Sequence, residues 1–121
     1  MNCIIVDDEP LAREAIEILL KETPQLSLLK NFNNASSASV FIKDNPVDLI
    51  FLDIQMPGTT GIEFTKTIPP QTLVIFTTAY SEYAVDSYEV DAVDFLVKPI
   101  ETVRFIKAVN KTETYRNLLI N

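Results

Sequence analysis

Short apolar runs alternate along the chain with longer segments in which apolar residues recur at helical spacing. The clear apolar runs are residues 3–6, 49–52, 73–76 and 93–97, and a weaker one covers 26–32. Each run is nearly continuous, as is typical of parallel strands that are covered on both faces. The pattern therefore predicts five β-strands, most of them buried.

The segments between the runs predict five helices. The first carries an apolar stripe behind Pro10, a residue favoured in the first turn of a helix. The stripe consists of Leu11, Ala15, Ile18 and Leu19. The other helices are expected over residues 35–45, 61–67, 81–89 and 101–117. Pro69 and Pro70 are expected to end the third helix early, because proline cannot continue a helix.

Strand and helix alternate five times, which predicts an α/β fold: a doubly wound (βα)5 domain in three layers, with a five-stranded parallel sheet between two layers of helices. The flavodoxin-like strand order 2-1-3-4-5 is the common solution for five units. The 121 residues suffice for one domain, covering 1–121. In this order ligands bind beyond the carboxyl ends of strands 1 and 3.

Composition and charge exclude several functions. With 17 acidic and 10 basic residues the net charge is −7, which argues against direct nucleic-acid binding by this domain. No apolar stretch could span a membrane and the N-terminus does not read as a signal peptide, so we expect a cytoplasmic protein. The absence of histidine excludes Ser-His-Asp chemistry and His-ligated zinc. The one cysteine, Cys3, is expected to be a buried thiol.

Polar residues follow each of the four clear runs. Asp7 and Asp8 follow the first, Asp53 the second, Thr78 the third and Lys98 the fourth. Because the carboxyl ends of parallel strands share one edge of a sheet, we expect the three aspartates to converge, with Thr78 and Lys98 beside them. A set of oxygen ligands without His or Cys favours a hard divalent cation. Mg²⁺ fits best, since it shares carboxylates with phosphate oxygens.

These side chains indicate phosphoryl transfer. Lys98 supplies a point charge for a phosphoryl group, and the Thr78 hydroxyl can donate to one of its oxygens. An ionised aspartate attacks phosphorus without an activating base, and Asp53 at the tip of the central strand is the best placed to form an acyl phosphate. The tight Met-Pro-Gly turn that follows can aim the backbone carbonyl of Gln55 at the cation.

Four segments, IIVDDEPLAR, IFLDIQMPGTTGIE, VIFTTAY and AVDFLVKPI, occur in this order. Together they resemble the receiver domain of bacterial two-component response regulators, over residues 1–117. The resemblance implies that Asp53 receives its phosphoryl group from a sensor histidine kinase. It also implies that Asp8 is the main acidic Mg²⁺ ligand beside Asp53 and the Gln55 carbonyl, with Asp7 holding metal-bound water.

The same resemblance implies a conformational switch. Thr78 moves toward the phosphoryl group that Lys98 binds, and an aromatic residue, here Phe95, changes its rotamer at the same time. Phenylalanine lacks the hydroxyl of the commoner tyrosine, so the packing part of the switch is expected without the hydrogen bond. A cis peptide bond between Lys98 and Pro99 is expected on the same grounds.

One long segment, TTAYSEYAVDSYEVDAVDFLVKP, is similar to receivers that precede LytTR-type DNA-binding domains. The similarity favours a domain excised from a longer transcription regulator over a stand-alone receiver that acts by protein interaction. Tyr80, Tyr83 and Tyr88 cluster around the predicted helix 81–89. We expect this helix, the fifth strand and the fifth helix to form a face for homodimerisation or for docking the output domain.

Two other functions compete with this interpretation. An aspartate-nucleophile phosphatase that turns over external substrates typically has a second aspartate two positions after the nucleophile, where this chain has Gln55. A flavodoxin-type FMN module would need a Ser/Thr-rich phosphate loop after strand 1, where Asp7, Asp8 and Glu9 would repel phosphate. We therefore expect a protein that catalyses its own modification at Asp53 and does not turn over external substrates.

Overall fold

The computed structural model describes residues 1–56, 58, 61–80 and 92–120. Five parallel strands in this part of the chain form one sheet. They are β1 Asn2–Val6, β2 Ser27–Phe32, β3 Leu49–Asp53, β4 Leu73–Thr78 and β5 Asp94–Val97. Their order is β2-β1-β3-β4-β5, so the predicted strand order is confirmed. The predicted helix over 81–89, with Tyr83 and Tyr88, lies outside the described residues.

Helices cover both faces of the sheet. They are α1 Pro10–Lys21, α2 Ala35–Asp44, α3 Gly61–Thr65 and the C-terminal helix Thr102–Ile120. The third helix ends before Pro69 and Pro70, as predicted. None of the described helices combines the length and apolar character that a membrane crossing requires.

Alternate side chains of β1 and β3 pack into two separate hydrophobic cores, one on each face of the sheet. Ile4 and Ile50 point to the side where α2 and α3 pack, and Ile5 and Phe51 point to the side where α1 and the C-terminal helix pack. Because both faces of these strands are covered, the sequence shows continuous apolar runs there. Cys3 belongs to the second core, and burial raises the pKa of its thiol to about 12, so the thiol stays protonated and inert.

The buried face of α1 is not the apolar stripe that predicted the helix. Leu11 and Ile18 are 78% and 56% exposed, whereas Ile16 and Leu20 are buried in the core. Successive residues of a helix are turned by about 100° about its axis. The row of side chains through Ile16 therefore faces a different direction from the row through Leu11. The helix was predicted correctly, but the stripe that indicated it is not its inward face, because the row through Ile16 is apolar as well.

Candidate functional site

Carboxylates from two neighbouring strands meet at the carboxyl edge of the sheet. β1 and β3 pair with Val6 opposite Leu52, so the residues that follow, Asp7 and Asp53, emerge side by side. Asp7, Asp8, Glu9 and Asp53 each offer an oxygen, and these oxygens all lie within 4.8 Å of one another. The structure thus brings together the three aspartates named from the sequence and adds Glu9.

Lys98 places an ammonium group against this acidic cluster. Its backbone N–H donates to the Thr78 carbonyl at 2.7 Å, which extends the pairing of β4 and β5 to the site. Its Nζ lies 2.9 Å from Asp7 Oδ2, 3.7 Å from Asp53 Oδ2 and 4.0 Å from Glu9 Oε1. Although burial acts to lower it, these carboxylates raise the pKa of Lys98 above its usual value, so the ammonium stays charged.

Asp53 is held in a strongly perturbed environment. The side chain is buried, with the whole residue 4% exposed, and its Oδ1 accepts a hydrogen bond from the Gln55 N–H at 3.2 Å. Burial, then the charges of Asp7 and Asp8, raise the pKa of Asp53 to about 7, against the lowering effect of Lys98 and the Gln55 N–H. Without a further cation, the Asp53 carboxyl is therefore only about half ionised at neutral pH.

Asp7 is the most deeply buried carboxylate of the four, at 1% exposure. Its Oδ1 accepts the Glu9 N–H at 3.0 Å, and its Oδ2 faces the Lys98 ammonium at 2.9 Å. Buried carboxylates are costly unless positive charge compensates them, and the single Lys98 ammonium faces two buried aspartates here. Four carboxylates against one ammonium, with no nitrogen or sulfur ligand, fit Mg²⁺.

The loop after β3 returns closely onto the strand. Gly58 has a φ of 89°, in the left-handed region that glycine adopts readily. Gly61, the first residue of α3, donates its N–H to the Ile54 carbonyl at 2.8 Å. A Cβ at position 61 would lie 2.4 Å from the Asp53 backbone oxygen, so only glycine lets α3 begin against the backbone of the acidic residue. The cation-binding role of the Gln55 carbonyl stays a prediction.

The two residues of the predicted switch lie on β4 and β5. Thr78 is buried, and its Oγ1 accepts the Tyr80 N–H at 3.0 Å and donates to the Tyr80 carbonyl at 3.4 Å. The Phe95 ring stacks on Phe76, with ring centroids 5.3 Å apart. The hydroxyl of Thr78 is therefore committed to the backbone of Tyr80 in this conformation. The Lys98–Pro99 bond is cis, as predicted.

Sequence reasoning missed two residues of the site. Glu9 directly follows Asp7 and Asp8, so its position was a usable signal. Arg13 lies one turn into α1, and its Nη1 donates to the Asp7 backbone carbonyl at 2.7 Å. The only signal in the sequence was that Arg13 lies a few residues after Asp7 and Asp8. The path of the loop decides which side chain of α1 contacts the Asp7 carbonyl.

Comparisons with known proteins agree with the geometry. A family model described as "Response regulator receiver domain" matches residues 3–110. A relative named "Transcriptional regulatory protein BtsR", from Salmonella typhi, is 38% identical over 119 residues, which are 97% of this chain and 50% of that protein. An uncharacterised response regulatory protein of Vibrio parahaemolyticus is 39% identical over 113 residues, 92% of this chain and 47% of that protein. The chain thus spans about half the length of the curated relatives it matches.

Solved structures show the same fold. The response regulatory domain of the protein mrkE from Klebsiella pneumoniae matches with a TM-score of 0.86 and 30% identity, over 98% of this chain and 99% of that one. RcsB from Salmonella enterica, bound to a promoter in the presence of the phosphomimetic BeF₃⁻, matches with a TM-score of 0.85 over 98% of this chain and 64% of that one. At 23% identity, this second likeness concerns the fold alone.

Proposed function

The chain belongs to the response regulator receiver domains of two-component systems, and we propose that its phospho-acceptor is Asp53, served by a sensor histidine kinase. The observation that carries the proposal is the pairing of a buried Asp53 with an ammonium and three further carboxylates at one edge of the sheet. A carboxylate with a strongly raised pKa, such as that of Asp53, is typical of functional sites.

Mg²⁺ is the cofactor that this donor set would take. Asp8, Asp53 and the carbonyl of Gln55 would hold it, and Asp7 would hold a metal-bound water. When bound, Mg²⁺ supplies charge neutralisation for the carboxylates and for the oxygens of the transferring phosphoryl group. The excess of carboxylates over ammonium groups at the site supports this assignment.

Phosphoryl transfer to Asp53 needs little chemistry from other residues. A carboxylate oxygen of Asp53 forms a bond to phosphorus, while the bond from phosphorus to the phosphohistidine nitrogen breaks and that nitrogen keeps the electron pair. Lys98 Nζ, 3.7 Å from Asp53 Oδ2, is close enough to attract the phosphoryl oxygens throughout. Because the nucleophile is already ionised once a cation binds, catalysis consists of positioning and charge stabilisation.

The response to phosphorylation would run through Thr78 and Phe95. The Thr78 hydroxyl would exchange its bonds to Tyr80 for a bond to a phosphoryl oxygen, which removes a restraint on the Tyr80 backbone. The space that Thr78 vacates would let the Phe95 ring leave its stack on Phe76. Since phenylalanine has no hydroxyl, the change would be one of packing.

We further propose that this switch controls transcription in the cytoplasm, through a LytTR-type DNA-binding domain outside these 121 residues. Relatives about twice as long, one of them named a transcriptional regulatory protein, support an output domain. A face built from β5, the C-terminal helix and the helix predicted over 81–89 would dock that domain or a second copy. Exposed apolar side chains support such a face: Val97, Val103 and Ile106 are 40%, 80% and 43% exposed.

Removing the Asp8 carboxylate tests the metal site. Asp8→Ala is expected to slow Mg²⁺-dependent phosphorylation by acetyl phosphate about 10–100-fold at low Mg²⁺, because a direct ligand should matter at least as much as an outer-shell partner. The rate is followed by intact mass across a Mg²⁺ titration. Asp44→Ala, which removes an exposed carboxylate from α2, serves as the control. Labelling of Asp8→Ala at the wild-type rate throughout the titration would contradict the ligand assignment.

A further inference from the structure

We propose that Arg13 is a positioning residue for the metal site: it holds the Asp7–Asp8 peptide in the orientation that presents the Asp8 carboxylate to Mg²⁺. The inference rests on the proposed function, because it assigns a purpose to Arg13 only if Asp8 binds the cation. Nothing in the phosphoryl-transfer step itself calls for Arg13.

The contact that carries the proposal is short and specific. Arg13 begins the hydrogen-bonded part of α1, with its N–H on the Glu9 carbonyl at 3.2 Å. Its half-buried side chain returns toward the sheet, and Nη1 donates to the Asp7 carbonyl at 2.7 Å. A hydrogen bond from a charged guanidinium is roughly twice as strong as one between neutral groups. Arg13 therefore ties α1 to the backbone of Asp7.

The bond completes a set of contacts around Asp7. The Asp7 N–H donates to the Phe32 carbonyl at 3.0 Å, Oδ1 accepts the Glu9 N–H, and Oδ2 faces Lys98. Its carbonyl oxygen is held by Arg13. That carbonyl belongs to the peptide unit that joins Asp7 to Asp8, and the unit is planar. Fixing its oxygen therefore fixes the direction in which the chain enters Asp8, which is itself only partly buried.

Lys30 offers a matched comparison because it shares the groove that Arg13 lines. The groove has a volume of about 360 Å³, and its walls include Arg13, Lys30 and Phe32. The Lys30 ammonium lies over the Phe32 ring, 5.5 Å from its centroid. Both residues carry one positive charge on the same side of the domain, but the bond to the Asp7 carbonyl comes from Arg13.

Charge and positioning predict opposite effects on Mg²⁺ affinity. Removing a positive charge near an acidic cluster should strengthen the binding of a cation, by electrostatics alone. Removing the restraint on the Asp7–Asp8 peptide should weaken it, because outer-shell partners of metal ligands are worth about 10–100-fold in affinity. The sign of the change therefore separates the two roles of the guanidinium.

The test is calorimetric titration of Mg²⁺ into the wild type and the variants Arg13→Ala, Arg13→Lys and Lys30→Ala. We expect about tenfold weaker binding for Arg13→Ala, at least partial recovery in Arg13→Lys, and unchanged or slightly tighter binding for Lys30→Ala. In metal-free protein, the amide resonance of Asp8 should shift in Arg13→Ala and stay in place in Lys30→Ala. The lysine variant keeps a donor and a charge. Its Mg²⁺ affinity and its Asp8 amide resonance are the quantities compared with wild type if the alanine variant does not fold.

Two results would overturn the inference, and they are distinguishable. Equal or tighter Mg²⁺ binding by Arg13→Ala, with a wild type that binds, would leave the metal site standing and remove the role of Arg13. A wild type that binds no Mg²⁺ would remove the metal site itself, and the role of Arg13 with it.

Discussion

Asp53→Asn is expected to stabilise the metal-free protein by about 4 kcal/mol near pH 8 and by only about 1 kcal/mol near pH 5. In the folded protein the pKa of Asp53 is raised to about 7, chiefly by burial and by the charge of Asp7. A shift of about three units from the unfolded value corresponds to about 4 kcal/mol. The attraction to Lys98 is already included in this shift, since it lowers the pKa against burial and Asp7.

The sign of this pH dependence follows from which state binds the proton. Between about pH 4, where the unfolded carboxyl titrates, and about pH 7, where the folded one does, the folded state holds more protons. The contribution of Asp53 to the free energy of unfolding therefore falls as the pH rises through this window, and it is constant above it. Asparagine cannot ionise, so the difference in the free energy of unfolding between variant and wild type grows across the same pH range.

Urea unfolding of both proteins at several pH values, with a chelator present, measures the effect. Other titrating groups are common to the two proteins and largely cancel. Added Mg²⁺ should narrow the gap near pH 8, because it binds the folded wild type more tightly than the variant. A stability difference that is the same at all pH values, or an asparagine variant that is less stable near pH 8, would contradict the charge crowding inferred here.

Gly61→Ala is expected to lower the free energy of unfolding by about 2–3 kcal/mol, since overpacking against rigid structure typically costs this much. The added Cβ would lie 2.4 Å from the Asp53 backbone oxygen and 3.0 Å from the Ile54 Cα. Backbone atoms cannot move aside as a flexible side chain can, so either α3 or the end of β3 must shift. Because that shift moves the nucleophile, phosphorylation should slow about tenfold or more.

Gly58→Ala is the matched control for this prediction. Gly58 lies in the same loop with a φ of 89°, and a Cβ there would meet nothing within 4 Å. Its cost is the left-handed backbone alone, about 1–2 kcal/mol, with little effect on the phosphorylation rate. Denaturant unfolding and intact-mass labelling of both variants make the comparison. If Gly61→Ala were no more harmful than Gly58→Ala in either measurement, the close approach of α3 to Asp53 would not matter for the site.

The sequence predicted those elements whose burial determines the pattern of apolar and polar residues. β1 and β3 lie inside the sheet with both faces covered, so every position from Cys3 to Val6 and from Leu49 to Leu52 is apolar. β2 is an edge strand with exposed positions along it, which explains its weak signal. The inward face of α1 could not be chosen from the sequence, because the row through Leu11 and the row through Ile16 are both apolar.

The convergence of the aspartates was predictable because topology alone imposes it. Residues that follow β1 and β3 must share an edge once those strands are neighbours. The contact between Arg13 and the Asp7 carbonyl depends on the path of one loop and on one rotamer, and neither is written in the spacing of residues. The raised pKa of Asp53 depends on depth of burial and on the balance of Asp7 against Lys98, which requires distances.

Incubation of the protein with acetyl phosphate and Mg²⁺, followed by intact mass and peptide mapping, tests most directly whether Asp53 is the phospho-acceptor. We predict that the wild-type chain gains one phosphoryl group, that the group maps to Asp53, and that the gain requires Mg²⁺. Asp53→Asn, which keeps the shape of the side chain, should gain none. A wild type that stays unlabelled, or an asparagine variant labelled as readily as the wild type, would contradict the assignment.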